Sequence, residues 1–374
     1  MKRRDFGKAL GGGVIGAGVA GAVTPWAAAA PAAALVPKKN TLMHVGGDYH
    51  YVAGGRGADI TGKANLEFNV RHGVKHLTAQ ISKKSPDGAW DLDDMKRMKD
   101  NCDKYEIALE AIRMDSDYIM LRKGPERDRM LESIVGNIQK ASQVGVKVIT
   151  HHWTVIPIRR NGHVPGRGGA TYEAFKLEPD WKALPVGKAG VVSSDDYWER
   201  ITYFLQHVIP VCKQHDVRMA AHPYDPPGLP FGYQGAENWD SPSVFDGFKR
   251  YEAIVDSPYN GFQLCLGTTA EGLKNSLTEV LPIVQYLGER GKIHQIHMRN
   301  IRGGLNDFAE VFPDEGEMDF SKVMRILRDT QFAYSICADH MPSHPDDPGK
   351  LQAYAYGNGY IKALIQAVNS EVRS

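Results

Sequence analysis

The sequence predicts a single (β/α)8 barrel, on three observations. After Asn40, eight short runs rich in β-forming residues alternate with longer stretches in which apolar residues recur at helical spacing. No Ser- or Gly-rich linker divides the chain into halves. A barrel of this class fits within 374 residues as one domain. Such alternation is typical of a parallel sheet whose strands are joined by helices.

The predicted strands are spaced so that a helix fits between neighbours. They cover residues 42–45, 74–81, 107–113, 146–151, 217–222, 262–266, 293–298 and 334–339. Helical patterns between the later strands cover residues 126–143, 195–215, 244–255, 273–290, 320–330 and 350–368. Loops rich in proline and glycine are predicted at 162–169 and 223–235. A doubly wound open sheet is the alternative fold, but no G-x-G-x-x-G sequence follows a predicted strand.

Composition argues against a nucleic-acid-binding protein and against a disulfide-stabilised scaffold. The chain has 45 Lys and Arg residues against 44 Asp and Glu residues, a net charge of +1. A nucleic-acid-binding protein usually shows a strongly basic domain or patch, so no nucleic-acid partner is expected. Four cysteines in a chain of this length are too few for a disulfide scaffold.

Residues 1–34 are predicted to be a signal peptide, which leaves residues 35–374 as the catalytic barrel domain. A basic start precedes an apolar, glycine-rich stretch at residues 11–23, and alanine runs before residue 35 offer cleavage sites. The Arg-Arg-Asp-Phe sequence that begins at Arg3 resembles a twin-arginine signal, so a periplasmic location is expected. An uncleaved anchor is the alternative, although a spanning helix needs about 20 consecutive apolar residues. No later stretch is long and apolar enough to span a membrane.

Four metal-binding side chains stand at the ends of the last four predicted strands. They are His222, Cys265, His297 and Asp339. The C-terminal strand ends of a (β/α)8 barrel meet at one rim, where the active site lies. Imidazole, thiolate and carboxylate groups all bind divalent transition ions. Each residue alone has an ordinary structural explanation, but the four together predict a metal site.

The same residues lie in segments that resemble the mannonate dehydratase family. Residues 222–227, His-Pro-Tyr-Asp-Pro-Pro, are similar to the family's His-Pro-Asp-Asp-Pro-Pro. Residues 257–261, Ser-Pro-Tyr-Asn-Gly, resemble its Ser-Pro-x-Asn-Gly stretch before a ligand cysteine. Residues 297–301, His-Met-Arg-Asn-Ile, are close to its His-x-Arg-Asn-Val. Asp339-His340 matches an Asp-His pair, and Tyr356-Gly357-Asn358 stands where the family has Tyr-Gly-Arg.

The resemblance implies a xylose-isomerase-like barrel that binds one divalent ion, Mn2+ in the first place, with Fe2+, Co2+ and Zn2+ as alternatives. The implied reaction converts D-mannonate, or a closely related aldonate, into 2-keto-3-deoxy-D-gluconate and water. The implied ligands are the four strand-end residues above. His340 and Tyr356 correspond to the family's proton-transfer candidates. We expect His340 to be the acid, and the base remains open between Tyr356 and a metal-bound group.

Four further residues are predicted to bind the substrate. Arg159 and Arg160 lie beside the glycine-rich loop and are suited to bidentate contacts with a carboxylate, although a solvated charged loop is an equal alternative. Arg299 and Asn300 follow the ligand His297 closely in the chain. The expected partner is therefore a small sugar acid, and both a monomer and a homo-oligomer stay open.

Two other functions compete with a sugar-acid lyase. The first is a metal-dependent sugar isomerase or epimerase of the same barrel type. Such enzymes commonly use acidic ligands, often Glu, where this chain has Cys265 and His297. The second is a periplasmic sugar-acid binding protein, which would have two lobes and a hinge that the sequence lacks.

Overall fold

The structure is a computed structural model, and it describes residues 41–55, 57–115, 117–157, 159–237 and 243–372. The predicted signal peptide, residues 1–34, lies outside the described residues. Among the helices that are described, none combines the length and the apolar character needed to cross a membrane.

The described residues form twelve strands in two sheets. In chain order the strands are β1 (His44–Gly46), β2 (His76–Gln80), β3 (Ala108–Arg113), β4 (Val148–His152), β5 (Gly162–Pro165), β6 (Thr171–Lys176), β7 (Arg218–His222), β8 (Asn260–Cys265), β9 (Ile293–Met298), β10 (Asn300–Gly304), β11 (Asp307–Val311) and β12 (Ser335–Ala338). Eight of them, β1 to β4, β7 to β9 and β12, coincide with the eight predicted strands.

These eight strands form the predicted parallel barrel. Their order is β1-β12-β9-β8-β7-β4-β3-β2, and a parallel bridge between Gly47 and Leu77 joins β1 to β2. Strands β8 and β9 are buried along their whole length, because the barrel interior covers one face and the outer helices cover the other. The single-barrel prediction is confirmed, and the doubly wound alternative is wrong.

The register of the barrel brings the predicted ligands to one rim. Cys265 pairs with His297 across β8 and β9. His152 pairs with His222 across β4 and β7. Cys337 pairs with His297 across β12 and β9, which places Asp339 just beyond the same level. The strand ends are therefore aligned, as the site prediction requires.

The second sheet is a four-stranded antiparallel sheet that the sequence did not predict. Its order is β10-β11-β6-β5. Residues 162–169, expected to be a loop, contain β5 and a short 3-10 turn at Arg167–Gly169. Strands β5 and β6 lie in the connection after β4, and β10 and β11 lie in the connection after β9. The two connections are joined by β6–β11 pairs such as Phe175 with Phe308.

Nine described helices accompany the strands. They are α1 (Lys63–Arg71), α2 (Leu92–Asp103), α3 (Pro125–Gln143), α4 (Ser194–His215), α5 (Val244–Ile254), α6 (Leu266–Glu271), α7 (Ser276–Glu289), α8 (Phe320–Asp329) and α9 (Leu351–Ser370). All six predicted helices are present, while α1, α2 and α6 were not predicted. Several begin at a side-chain cap; Ser193, for example, accepts a hydrogen bond from the Asp196 amide at the start of α4. Helix α8 buries Phe320, Val323 and Leu327 on one face.

Candidate active site and metal centre

The four predicted metal ligands converge at the C-terminal rim of the barrel. One donor atom each from His222, Cys265 and His297 lies within 4.8 Å of the other two, and all three residues are buried. Asp339 completes the group, because its Oδ2 lies 3.3 Å from Cys265 Sγ and 3.9 Å from His297 Nδ1. The structure thus brings together all four residues that the sequence singled out.

The two imidazole rings are oriented by contacts outside the group. His222 Nδ1 donates a hydrogen bond to the Pro223 carbonyl at 2.8 Å, so its Nε2 carries the free lone pair. His297 Nε2 lies 2.8 Å from the Gln263 side-chain nitrogen and 3.2 Å from Asp48 Oδ2, and its Nδ1 is buried with no hydrogen-bond partner among the described residues. A buried ring nitrogen without a partner is costly unless an ion uses it. Both rings therefore offer nitrogen to a common point.

Burial favours the neutral forms of the His222 ring and of the Cys265 thiol. Burial, with the nearby charge of His297, lowers the pKa of His222 to about 3, so this imidazole is neutral as a metal ligand must be. Burial raises the pKa of the Cys265 thiol well above its usual value, although Arg299 and the Thr268 amide act in the opposite direction. The Thr268 amide donates to Cys265 Sγ at 3.3 Å. A cation beside this sulfur would stabilise the thiolate.

Asp339 supplies the negative charge of the group. Burial alone would raise the pKa of this carboxyl, but the charges of His340, Arg299, His50 and His297 hold it well below its usual range. Two imidazoles, a sulfur and a carboxylate form a donor set that suits Mn2+, Fe2+, Co2+ or Zn2+. The residues present therefore fit a divalent ion, and the observation that points to one is His297 Nδ1, which is buried without a hydrogen-bond partner among the described residues.

His340 lies beside this group and is held by residues from other elements. Its Nδ1 is 3.0 Å from Glu310 Oε1 and 2.5 Å from Arg299 Nη1. Its Nε2 lies 3.5 Å from Asp339 Oδ1. The side chain is 28% exposed, more than any of the four ligands, so it borders open space. His340 thus lies beside the four converging residues, and its role in proton transfer stays a prediction.

Arg160 and Arg299, predicted to bind substrate, are instead engaged with buried carboxylates. Arg160 lies 3.0 Å from Asp225 Oδ1 and 2.5 Å from Glu310 Oε1, and its Nη2 is 3.0 Å from Glu271 Oε1. Arg299 is fully buried and contacts the same Glu271 and Glu310 oxygens at 2.8 and 3.0 Å. Their guanidinium groups balance protein charge, and substrate binding by Arg160 and Arg299 stays a prediction.

Burial raises the pKa of one carboxyl in this group of two arginines and three carboxylates. The carboxyl is that of Glu271, where the two guanidinium groups oppose the shift and Asp225 and Glu310 add to it. Because the charged groups pair with one another, they hold these side chains in place around the site, while their removal from water is costly.

Arg159 and Asn300, the remaining residues predicted to bind substrate, also have partners within the protein. Arg159 pairs with Glu178 at 2.6 Å. Asn300 is buried, donates to the Pro313 and Met318 carbonyls, and accepts from the Met318 amide at 3.1 Å. Its amide group therefore shapes the connection that begins at β10, and substrate binding by Arg159 and Asn300 stays a prediction.

Tyr356 lies on α9 and is 40% exposed. Its ring contacts Phe312 and lies near the Arg167 guanidinium. Burial raises the pKa of its hydroxyl, and Asp314 adds to that shift while Arg167 opposes it. None of these contacts with described residues involves any of the four ligands. A catalytic role for Tyr356 thus stays a prediction, and the geometry adds no support.

Two further residues at the rim, Asp48 and His50, stand just after the first predicted strand, where the sequence allows them either to line the pocket or to cap a helix. Both follow β1; His50 Nε2 lies 3.3 Å from Asp339 Oδ1, and Asp48 contacts His297. A signal existed in the sequence, because both residues stand just after a predicted strand end.

Arg113, the last residue of β3, is a third rim residue that the sequence did not single out. Its guanidinium lies over the Tyr49 ring, 4.9 Å from the centroid. Its charge also acts on His152, which stacks on His222 with ring centroids 4.1 Å apart. The sequence could have indicated Arg113 as well, because it is the last residue of a predicted strand.

Comparisons with known proteins identify the family of the chain. The family model described as D-mannonate dehydratase (UxuA) matches residues 183–374, just over half of the chain. The mannonate dehydratase of Thermotoga petrophila is 28% identical over 324 residues, which cover 75% of this chain and 87% of the relative.

Solved structures agree in fold. The mannonate dehydratase structure from Streptococcus suis serotype 2 matches with a TM-score of 0.72 at 21% identity, covering 88% of this chain and 94% of that one. A xylose isomerase domain protein from Planctomyces limnophilus matches with a TM-score of 0.56 at 12% identity, covering 89% and 100%. At these identities the two structures show a xylose-isomerase-like barrel and nothing more. With the family match over residues 183–374, the chain belongs to the D-mannonate dehydratase family, whose members are hydro-lyases.

Proposed function

We propose that the protein dehydrates a sugar acid, D-mannonate or a closely related aldonate, to the corresponding 2-keto-3-deoxy acid and water. The observation that carries the proposal is the convergence of His222, Cys265, His297 and Asp339 beside a histidine that borders open space. Membership of a hydro-lyase family supports the reaction class. The reaction class is the general part of the proposal, and the identity of the aldonate that serves as substrate is the more specific part.

The four converging residues would hold one divalent ion, Mn2+ in the first place. When bound, the ion supplies Lewis-acid stabilisation for the negative charge that develops next to the substrate carboxylate. The protein residues supply the rest: they orient the sugar acid, remove the proton on C2 and protonate the departing hydroxyl on C3. The atoms balance, since the proton and the hydroxyl leave as water and the resulting enol becomes the keto acid.

His340 is the residue proposed to protonate the C3 hydroxyl. Glu310 and Arg299 hold its Nδ1, which leaves Nε2 beside Asp339 and the open side of the site. Burial would raise the pKa of Glu310, but His340, Arg299 and Arg160 hold it below its usual range, so Glu310 faces the ring as a carboxylate. An imidazole suits this task near neutral pH.

His50 is the residue proposed to take the C2 proton. Its Nε2 and the Nε2 of His340 lie 3.3 and 3.5 Å from the same oxygen, Asp339 Oδ1. The two ring centroids are 5.1 Å apart, close enough for both imidazoles to act on adjacent carbons of one substrate. The site thus offers an imidazole base in place of Tyr356, which lies near Arg167.

Arg113 is the residue proposed to receive the substrate carboxylate. Its Nε is buried without a hydrogen-bond partner, and no carboxylate of the described residues forms an ion pair with it. It differs in this from Arg159, Arg160 and Arg299, which all have carboxylate partners. A partly buried guanidinium at the rim is suited to a bidentate contact with a carboxylate.

An assay of the metal-loaded protein against a panel of aldonates tests the reaction. We expect D-mannonate or a near stereoisomer to yield a 2-keto acid, and in D2O the wild type should leave deuterium at C3 of the product. A His50→Asn variant should lose the C2 proton transfer while keeping its metal. If no aldonate gives a keto acid and a free sugar is isomerised instead, the lyase proposal is wrong.

We also propose that the protein is exported by a twin-arginine route to the periplasm. The support is the Arg3-Arg4 pair ahead of a weakly hydrophobic stretch. Replacing both arginines with lysine keeps the charge and removes the guanidinium pair, so the precursor should accumulate in the cytoplasm. Unchanged periplasmic yield would show that another route carries the protein.

A further inference from the structure

A second group of metal-binding side chains lies at the other end of the barrel. His44 is the first residue of β1, His76 is the first residue of β2, and Glu110 lies in β3. One donor atom from each lies within 4.8 Å of the other two. The two histidines stand at the N-terminal ends of their strands, whereas the candidate active site is built on the C-terminal ends. The group therefore has no part in the proposed dehydration.

The hydrogen bonds of His44 leave a place for a cation. His44 Nδ1 lies 2.9 Å from the Leu42 carbonyl, which can only accept, so Nδ1 carries the proton. In the neutral ring Nε2 then has a lone pair, yet it lies 2.7 Å from Glu110 Oε2. Two acceptors at this distance need a proton or a metal ion between them.

The other two side chains are oriented toward the same point. Glu110 Oε1 accepts a hydrogen bond from the Ser335 amide at 3.0 Å, which turns Oε2 toward the histidines. His76 Nδ1 lies 2.6 Å from Oε2 but is not aligned for a hydrogen bond with it or with any other described residue. The two imidazole rings stack with centroids 3.5 Å apart, so their nitrogens lie side by side.

We propose that His44, His76 and Glu110 bind a divalent ion, Zn2+ by the chemistry of the donors, with water completing the coordination. Two imidazole nitrogens and one carboxylate oxygen form a common zinc donor set. Zinc bonds of about 2.0–2.2 Å place neighbouring donors of a tetrahedral ion about 3.3 Å apart, so the side chains separate by about 0.6 Å on binding. The side chains are 24%, 32% and 11% exposed, which gives an ion access from solvent.

The position of the ion indicates a structural role. Strands β1 and β2 meet where the barrel closes, and in the described part of the chain a single bridge, Gly47 to Leu77, pairs them. An ion held by β1, β2 and β3 would link three strands across that closure. The N-terminal face of such barrels serves stability, and an ion that binds only the folded state raises its stability.

Ion counting on the full chain tests the site. The protein is stripped with a chelator, reloaded with Zn2+ or Co2+, freed of excess metal and analysed for metal content. We expect two ions per chain in the wild type and one in His76→Gln and in Glu110→Gln. The matched control is His163→Gln, which removes an exposed histidine 3.5 Å from Glu173 that belongs to neither group, and it should keep two.

Cobalt spectra separate the two sites even if one variant folds poorly. The candidate active site contains Cys265 and should give a thiolate-to-cobalt charge-transfer band, whereas a His44–His76–Glu110 site has no sulfur and should give only d–d bands. Cys265→Ser should remove the charge-transfer band and keep the second ion. A single ion per wild-type chain whose spectrum disappears with Cys265 would overturn the proposal, leaving a proton between His44 and Glu110. A single ion without the thiolate band would support it and contradict the active-site metal.

Discussion

Glu310 Oε1 and Oε2 lie 3.0 and 3.1 Å from His340 Nδ1, and the carboxylate reaches that ring from the small antiparallel sheet. Glu310 lies on β11, while His340 follows β12 of the barrel. A carboxylate that holds one nitrogen of an imidazole fixes the orientation of the ring. The small sheet therefore supplies the partner of the proposed acid.

Replacing His340 tests that role directly. His340→Asn should lower kcat about 10²–10⁴-fold, the usual contribution of a general acid. KM and metal content should stay close to wild type, because the lost interaction forms mainly in the transition state. Steady-state kinetics with metal analysis checks both. Loss of the metal together with activity would make His340 a ligand instead.

Replacing Glu310 tests the pairing itself. In Glu310→Gln the ring of His340 loses the carboxylate that holds its Nδ1, so kcat should fall while KM stays close to wild type. The fall in kcat should be smaller than in His340→Asn. Steady-state kinetics measures both constants, and Glu317→Gln, a change near the same hairpin at a residue that contacts Gly303 and Ser276, is the control. A kcat equal to that of the wild type would show that Glu310 has only a structural role.

The sulfur ligand can be tested against a neighbouring cysteine. Cys265→Ser should weaken binding of the active-site ion, because a neutral hydroxyl replaces the sulfur ligand. Cys337→Ser is the matched control: this cysteine is also buried and pairs with His297 in register, but its Sγ lies 3.8 Å from the Gly47 carbonyl, on the β1 side. Competition with a chromogenic chelator measures both affinities. Equal affinities for the two variants would exclude Cys265 from the coordination sphere.

Substrate binding can be assigned by comparing two arginines. Arg113→Met should raise KM for the aldonate about 10- to 100-fold, the range expected when charged hydrogen bonds worth about 1.5–3 kcal/mol are lost. Arg159→Met removes an arginine that is paired with Glu178, so its effect on KM should be small. Both variants should keep the metal. A large effect of Arg159→Met with a normal KM for Arg113→Met would restore the assignment made from sequence.

The barrel could be predicted because its strands are short apolar runs, most of them buried on both faces. The small sheet could not: β5 is largely exposed and contains Pro165, and β6 and β11 pair residues more than a hundred positions apart. Helix α1 was missed because it buries Asn65 and Asn69 where an amphipathic pattern would have apolar residues.

The candidate site was predictable to the extent that it follows the strand ends. His222, Cys265, His297 and Asp339 are close because parallel strands end at one rim. The partners of Arg160 and Arg299 were not predictable, since Asp225, Glu271 and Glu310 come from three separate connections. Whether an arginine is free for substrate depends on such long-range pairing.

The small sheet has a consequence for redesign of this barrel. Its halves lie in two separate excursions, one between β4 and α4 and one between β9 and α8, and they meet through β6 and β11. A further bridge between Thr171 and Ser343 fastens the sheet to the segment that follows His340. Grafting either excursion alone onto a related scaffold would leave unpaired strand edges and misplace Glu310. The two excursions therefore have to be exchanged together, as one module.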